Sequence, residues 1–509
     1  MTTSPAWTAR STSRRQALAL ACLCLPVLVA SMDVSVLFFA VPFIARDLAP
    51  TATQQLWIFD VYGFVLAGLL LPMGALGDRI GRRRLLLVGV ALFAAASVIA
   101  AYATSATMLI VARALLGVGG ATLMPSTLGL IRTIFEDEKA RAKAIAVWSS
   151  VMAAGVGVGP VLSGLLLERY WWGSVFLVNL PVMALLLVAG PILLPESQGR
   201  RDGRFDLLSA VLALVAVVLL IYGVKSLASD GWSLPVLGYA VAGVASGSAF
   251  LARQRRSAEP FVDPALFGER AFVGALGINT LAMFGITGNA ILLTQYLQSV
   301  LGLSPLAGAL WSLAPSLLVG AAVPAAAAAS VRVGRPPVMA GGFLVAALGF
   351  LTMTATRADS GVWVCLAPAT LIAIGLVSVS TMVTDFVVGV VPAERAGAVS
   401  GLVETTSELG GALGIALLGS VLNAWYRPHI AAALPASLPA ETAHEAGQTV
   451  TGAVLSAGQL PGAVGEQLLS AARTAYTSGM HTADLVAAAI LLCGALVALC
   501  LPRAGTRPA

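Results

Sequence analysis

Four acidic residues inside long apolar runs are the first candidates for chemistry. Asp33 and Asp60 lie in the first two runs, and Glu404 and Glu408 lie four residues apart in a run near the end of the chain. A carboxyl group removed from water favours its neutral form, so it can hold a proton near neutral pH or, when ionised, pair with a cation. At this spacing the two glutamates share one helix face and do not both ionise readily. The pattern predicts proton exchange against a cationic ligand.

Helical geometry gives each acid an expected depth. Asp33 lies about 24 Å along a helix that rises from the inner side, and Asp60 about 8 Å below the outer end of the next, descending helix. Glu404 and Glu408 lie about 10 and 16 Å into their helix, the second close to the midplane. The alternative for either aspartate is that it caps an irregular outer helix end.

Further polar and aromatic residues complete the candidate site. Arg113 is a basic residue deep in the fourth run, where an unpaired arginine is not tolerated, so we expect it to meet a carboxylate such as Asp33 and to take part in proton coupling. Aromatic faces bind organic cations. Besides the four acids, the candidate substrate-binding residues are Trp57, Tyr62, Trp148, Asn279, Gln295 and Tyr296. Packing or interfacial anchoring is the alternative for each aromatic residue.

Composition identifies the elements that must carry these residues. The 509 residues are 58% hydrophobic and only 11% charged, whereas ordinary soluble domains are about 25% charged. Runs of about twenty apolar residues recur along the chain, long enough as helices to cross a bilayer core of about 30 Å. This predicts an all-α membrane protein. The net charge of +6 lies in short loops, so we expect the lipid bilayer and no nucleic acid as partner, no cofactor and no metal, and a monomer.

The order of the runs predicts fourteen spans. They lie near 17–40, 55–75, 85–103, 107–131, 144–168, 172–194, 207–227, 234–252, 271–299, 305–330, 338–356, 362–388, 398–426 and 481–501. Arg14-Arg15 resembles an export signal, but the run that follows is long and carries Asp33, so we interpret it as the first span. Clusters of arginine fall on alternate loops, which predicts that both termini are cytoplasmic.

An internal repeat predicts how the spans are organised. The pattern Arg-x-Gly-Arg occurs at residues 79–82 and again at 332–335, an offset of 253 residues that exceeds a six-helix half by about one hairpin. The predicted fold is therefore six plus two plus six helices. Its domains are an N-terminal bundle at 1–200, a two-helix insertion at 201–256, and a C-terminal bundle at 257–509 with an exterior loop at 427–480. In that loop we expect a short helical hairpin, with a mobile linker as the alternative.

Two segments have the composition expected of conformational elements. The first is the short basic loop after the second span, with Gly74, Gly77, Asp78, Arg79, Gly81 and Arg82. We expect it to face the cytoplasm and hold the halves together there when the protein faces outward. The second is the fifth span, in which Gly155, Gly159 and Pro160 allow close helix approach and a kink.

These segments resemble the signature motifs of the major facilitator superfamily. The resemblance rests on residues 74–84, 113–120, 155–160 and the segment from Asp33 to Pro42, and is closest to the fourteen-helix drug:proton antiporters, including the QacA-like multidrug exporters. It implies that acids matching Asp33, Asp60, Glu404 and Glu408 serve proton coupling and cation recognition. One departure is Ser163-Gly164, where that family more often has paired glycines.

The sequence thus predicts a proton-coupled antiporter, not an enzyme, that exports lipophilic, cationic drugs across the bacterial cytoplasmic (inner) membrane. A proton-coupled importer of a small nutrient would share the fold. A non-transporting receptor or membrane enzyme is disfavoured, because no nucleotide loop, metal cluster or catalytic triad is present in the sequence.

Overall fold

The computed structural model describes residues 9–50, 52–196, 206–230, 233–257, 260, 264–389, 396–434 and 438–501. Within these ranges the chain is helical and contains no strand. The first nine helices are α1 (Ala9–Leu48), α2 (Ala52–Ile80), α3 (Arg82–Ala101), α4 (Ala106–Ile134), α5 (Glu138–Arg169), α6 (Ser174–Leu177), α7 (Asn179–Leu193), α8 (Leu207–Asp230) and α9 (Leu234–Arg256).

The second part of the chain begins with a 3-10 turn at Pro264–Gly268. Its helices are α10 (Arg270–Gln295), which continues into a π-helical turn at Tyr296–Val300, then α11 (Pro305–Trp311), α12 (Leu313–Val333), α13 (Arg335–Met353), α14 (Val362–Gly389), α15 (Ala396–Ala433), α16 (Ala440–Gln448), α17 (Val450–Ala457) and α18 (Gly462–Leu499).

Twelve helical segments of the described residues are long and apolar enough to cross a membrane. Two shorter apolar stretches, Val61–Leu70 and Leu207–Gly223, lie in α2 and α8, where the sequence predicts two further spans. The all-helical membrane fold is confirmed, whereas the number fourteen and the side of the termini stay predictions.

Contacts within the chain define two compact units. Unit 1 contains Met1–Val218 and Ser246–Phe261, and unit 2 contains Leu219–Ala245 and Val262–Ala509. Helix pairs recur in the two units: α1 packs on α5 as α10 packs on α15, and α3 packs on α4 as α13 packs on α14. Likewise α3 contacts α7 as α13 contacts α18. The three-part domain division proposed from the sequence stays a prediction.

Small residues make the first pairing close in both units. A Cβ atom at Gly155 would lie 2.8 Å from the carbonyl oxygen of Leu28, and one at Gly159 would overlap the hydroxyl of Ser35. At the corresponding positions of α15, a Cβ at Gly410 or Gly414 would overlap backbone atoms of α10. Contact at backbone distance is what glycine permits between membrane helices.

Ser163, the departure from the expected glycine pair, strengthens the same interface. Its hydroxyl donates to the carbonyl oxygen of Val36 at 3.0 Å, so α5 is also hydrogen-bonded to α1. Pro160 lies inside α5.

The segment 427–480 differs from the loop predicted for it. Helix α15 continues to Ala433 and α18 already begins at Gly462; among the residues described between them, the short helices α16 and α17 are present. Hydropathy marks the membrane-crossing part of a helix, whereas alanine-rich polar sequence continues the same helix beyond it. Two short helices therefore occupy 440–457, whereas residues from Gly462 onward belong to the last long helix.

Candidate functional site

The buried polar centre of unit 1 joins four helices around Asp33. The Asp33 carboxylate of α1 forms an ion pair with the Arg113 guanidinium of α4, and both side chains are almost completely buried. Asn179, in the first turn of α7, donates to the second carboxylate oxygen at 3.4 Å and also contacts Ser97 of α3 at 3.1 Å. The expected contact between Arg113 and Asp33 is present.

Helix α2 completes the surroundings of Arg113. The Arg113 Nε donates to the backbone carbonyl of Ile58 at 3.3 Å, and its guanidinium lies 4.8 Å above the centre of the Tyr62 ring. The arginine is thus held by a carboxylate, a carbonyl and an aromatic face, which together offset the cost of burying its charge. We name Asp33, Arg113, Asn179, Ser97 and Tyr62 the buried ion-pair cluster.

Two members of this cluster were missed by sequence reasoning. Asn179 and Ser97 are neutral, and each lies in a long apolar run with no motif around it. The one sequence signal for Asn179 was its position at the start of an apolar helix. Because asparagine is common there as a helix cap, the position does not indicate a functional role. Only the packing of α3 and α7 on the other helices brings them together.

The polar centre of unit 2 is organised by Asn279 of α10. Its side-chain amide donates to Val403 O, Thr406 Oγ1 and Ser407 Oγ of α15 at 2.8–3.1 Å, and its carbonyl accepts from Ser380 Oγ of α14 at 3.1 Å. We name this the Asn279 hub. It contains no charge, and it fixes the turn of α15 on which Glu404 and Glu408 lie.

Glu404 and Glu408 are both half-buried on α15. Val403 and Ser407, each one residue before a glutamate, contact Asn279. The glutamates therefore lie beside the contacts with α10 on a part of α15 whose rotation is set by the hub. The predicted i, i+4 arrangement on one continuous helix is present.

The aromatic candidates divide between packing and partial exposure. Trp148 is buried and donates to Thr127 Oγ1 at 3.1 Å, and Tyr296 is buried with its hydroxyl on the carbonyl of Arg357 at 2.6 Å. Trp57 and Gln295 are half-buried, and Trp57 packs edge-to-face on Phe64. Trp148 and Tyr296 are thus engaged in structural contacts in this conformation.

The basic loop between α2 and α3 has a counterpart between α12 and α13. Gly81 and Gly334, the glycines of the two Arg-x-Gly-Arg repeats, both have positive φ, 100° and 89°. This left-handed backbone favours glycine. Arg82 lies directly against Gly129 of α4, whereas Arg335 forms an ion pair with Asp385 of α14 at 2.6 Å. Gly74 and Gly77 lie in the last turns of α2.

Arg83 and Glu196 anchor the same loop to the end of α7. Arg83 contacts the Glu196 carboxylate at 3.2 Å and donates to two carbonyls there. The side chains of Asp60 and Asp78 lie outside the described residues, so their predicted roles are untested.

Comparison with known proteins identifies the family. The model of the Major Facilitator Superfamily matches residues 23–415, and the chain belongs to that superfamily. It is 43% identical to the multidrug efflux pump LfrA of Mycolicibacterium smegmatis, with 96% of each chain covered. It is 35% identical to the methyl viologen resistance protein SmvA of Salmonella typhimurium, over 94% of this chain and 96% of that one. It is 34% identical to the tetracenomycin C resistance and export protein of Streptomyces glaucescens, over 93% and 89%.

Solved structures share the fold. A bacterial homologue of the human lysosomal transporter Spinster, in an inward-facing state, has a TM-score of 0.62 at 17% identity, with 97% of this chain and 99% of that one covered. The human organic anion transporter MFSD10 has a TM-score of 0.58 at 14% identity, over 96% and 99%. The chain is a multi-pass protein of the inner membrane and belongs to a transporter family rather than to an enzyme family.

Proposed function

We propose that this protein is a proton-driven antiporter that exports lipophilic, cationic drugs across the cytoplasmic membrane. Export is supported by relatives that are named as efflux or resistance proteins along nearly their full length. A cationic substrate is supported by the relative named for methyl viologen and by the acids on α1 and α15. A breadth of substrates is supported by the different compounds in those names.

The observation that carries the proposal is the buried ion pair between Asp33 and Arg113. A buried pair of this kind is stable only while both charges are present, because the loss of one leaves the other uncompensated. A proton that binds Asp33 therefore weakens its hold on Arg113 and alters the contacts of α1 with α4 and α7 and, through Tyr62, those of α4 with α2. Proton binding is thereby linked to helix arrangement, as an antiporter requires.

The glutamates of unit 2 supply the second part of the mechanism. Glu404 and Glu408 are half-buried acids on a helix that the neutral Asn279 hub holds in place. We propose that they attract the drug cation and exchange it for protons, with Asp60 as a further acid, and with Trp57 and Gln295 as contact residues. The basic loop at 74–84 and the glycines of α5 and α15 serve the conformational change.

The proposed topology has fourteen spans with both termini in the cytoplasm. Its support is that α2 and α8 have 29 and 24 residues, whereas about twenty residues suffice to cross the bilayer. Single cysteines at Ser233 and Ser257, in a variant without the five native cysteines, test the insertion hairpin in intact cells. An impermeant thiol reagent should label position 233 and not position 257; labelling of both or of position 257 alone contradicts this topology.

Dye transport in inverted membrane vesicles tests the proposed function. A proton gradient should drive uptake of a fluorescent quaternary ammonium dye, and collapse of the gradient should stop it. Vesicles without the protein are the control for passive uptake. Uptake that persists without a gradient contradicts proton coupling, and uptake of neutral but not cationic dyes contradicts the proposed substrate class.

A further inference from the structure

A buried carboxyl group on α18 belongs to neither polar centre. Asp484 is only 1% exposed, and its Oδ2 has no hydrogen-bond partner among the described residues. Its neighbours on the same helix face are apolar and buried: Met480, Ala483, Ala487 and Ala488. Burial of an ionised carboxylate without a partner is very costly, so this group is neutral in the present conformation and carries a proton.

A cavity of about 650 Å³, lined mostly by polar residues and called the polar cavity below, lies along the N-terminal half of α18 and reaches His481, three residues before Asp484. Its wall on α18 includes Glu466, Arg473, Thr477 and His481, and its opposite wall is the turn from Thr356 to Asp359. At 3.6 residues per turn, positions 466, 473 and 477 each fall within about 20° of position 484 around the helix. Asp484 therefore lies on the same face of α18 as these cavity-lining residues, about 10 Å further along the helix axis than Thr477.

Of the cavity-lining residues on α18, His481 is the one nearest to Asp484 along the helix. Its Nε2 lies 2.9 Å from the carbonyl oxygen of Thr356, so in the neutral ring Nε2 carries the hydrogen and Nδ1 is an acceptor. Asp484 is three residues further along, about 4.5 Å down the axis. Helical side chains lean toward the N-terminus, which on α18 is the direction of the cavity.

The surrounding titratable groups do not neutralise Asp484. Tyr476 interacts with it electrostatically, but the Tyr476 hydroxyl donates to the carbonyl of Leu292 at 2.9 Å. Helices α10 and α13, which pack on α18, each carry one charged residue, Arg270 and Arg335, in the first turn.

The remaining groups that can influence Asp484 lie on α15 and in the cavity. Along α15, Glu404 and Glu408 lie in the first half, and Tyr426, Arg427 and His429 lie near the end. The cavity contributes Arg357, Asp359, Glu466 and Arg473, and the π-helical turn that contacts α18 contributes Tyr296.

We propose that Asp484 is an additional proton-exchanging carboxyl group of the transporter, supplied from the polar cavity through His481. This inference rests on the proposed proton coupling, and in the proposed topology the cavity opens to the outside. In the loading step, Nδ1 of His481 takes a proton from cavity water and passes that same proton to the Asp484 carboxylate, so the imidazole returns to its neutral form. Release to the other side follows when the helix contacts of α18 change.

Infrared spectroscopy of the full-length protein in lipid nanodiscs tests the proton on Asp484 without any transport. The wild type should show the C=O stretching band of a protonated carboxyl group that disappears in Asp484→Asn and shifts in Asp484→Glu. The band should persist in Asp359→Asn, which removes an exposed cavity acid. If the spectra of both Asp484 variants equal that of the wild type in this region, the proposal is overturned.

The same C=O stretching band also tests whether the proton reaches Asp484 through His481. In heavy water it should shift as the proton exchanges for deuterium, and His481→Gln should slow that exchange severalfold, whereas His444→Gln, at an exposed histidine of α16, should not. Equal exchange rates in wild type and His481→Gln overturn the route. If dye uptake in vesicles is not proton-driven while the band behaves as expected, the proposed function fails and the assignment of the proton to Asp484 stands.

Discussion

The polar centres of the two units hold their helices in chemically different ways. The buried ion-pair cluster of unit 1 depends on two opposite charges, Asp33 and Arg113, whereas the Asn279 hub of unit 2 consists of neutral hydrogen bonds. A proton can abolish the first interaction and leaves the second unchanged. Under the proposed mechanism, protonation of Asp33 opens the helix junction of unit 1, whereas the junction of unit 2 stays fixed beside its acids.

The two basic loops share a backbone and differ in the residue that the second arginine meets on the neighbouring helix. Gly81 and Gly334 both have positive φ. Arg335 contacts the acid Asp385 of α14, whereas Arg82 lies against the glycine Gly129 of α4.

The largest stability effect should come from breaking the ion pair on one side. Arg113→Leu leaves the Asp33 carboxylate buried and unpaired, and should cost about 3–5 kcal/mol of stability. Addition of Asp33→Asn to Arg113→Leu should recover part of the loss, because no buried charge remains. Thermal unfolding in detergent measures both. An Arg113→Leu protein as stable as the wild type contradicts the burial of the pair.

The Asn279 hub should contribute less to stability than the Asp33–Arg113 ion pair, and its contribution should not change with pH. Asn279→Ala removes four hydrogen bonds and leaves groups on α14 and α15 without a partner, for an expected loss of about 1–3 kcal/mol. Asn289→Ala, at a half-buried position of the same helix, is the matched control. Unfolding temperatures measured at two pH values should show the same loss at both; a loss that varies with pH would make the hub part of the proton chemistry.

The glycine contacts of α5 and α15 should affect turnover more than folding. Gly159→Ala and Gly414→Ala add a methyl group that overlaps atoms of α1 and α10, so the helices must separate and proton-driven dye transport should fall severalfold. Gly157→Ala and Gly419→Ala add the same methyl group where no other atom lies within 4 Å. Transport rates per molecule in vesicles check this. Equal losses at contacting and open positions would contradict the packing argument.

The smallest effect is expected at the start of α8. Asp206 caps the Ser209 amide and binds Arg253, and the neighbouring guanidinium lowers the pKa of Asp206 to about 2. Because the pKa in the folded state lies below the ordinary value of about 3.9, this stabilisation is present at neutral pH and is lost as the pH falls toward about 2.

Hydrogen–deuterium exchange near neutral pH measures that contribution. Asp206→Asn should accelerate exchange at the beginning of α8 and leave α13 unaffected. Glu168→Gln, at an exposed glutamate near the end of α5, is the control. No acceleration at Ser209 would show that the cap and the Arg253 contact do not stabilise the hairpin.

Much of the fold could be predicted from the sequence because its signals are local. Apolar runs predict membrane helices, positive φ at Gly81 follows from Arg-x-Gly-Arg, and the burial of Arg113 requires an acid. Asn179, Ser97 and the Asn279 hub could not be predicted, since neutral polar residues acquire meaning only through the helices that pack around them. Asp484 was missed although it lies in the predicted span 481–501, because it is only three residues from the outer end of that span, where an acid can meet water.

The most direct test of the central claim separates drug exchange from proton-driven transport in Asp33→Asn. Proteoliposomes are loaded with a quaternary ammonium dye, and both dye exchange without a gradient and uphill transport driven by a pH gradient are measured. The proposed role of Asp33 predicts that exchange persists while uphill transport is abolished. The control variant Glu168→Gln, at an exposed acid, should behave like the wild type in both assays. Uphill transport by Asp33→Asn at the wild-type rate would contradict the claim that the Asp33–Arg113 pair links proton binding to export.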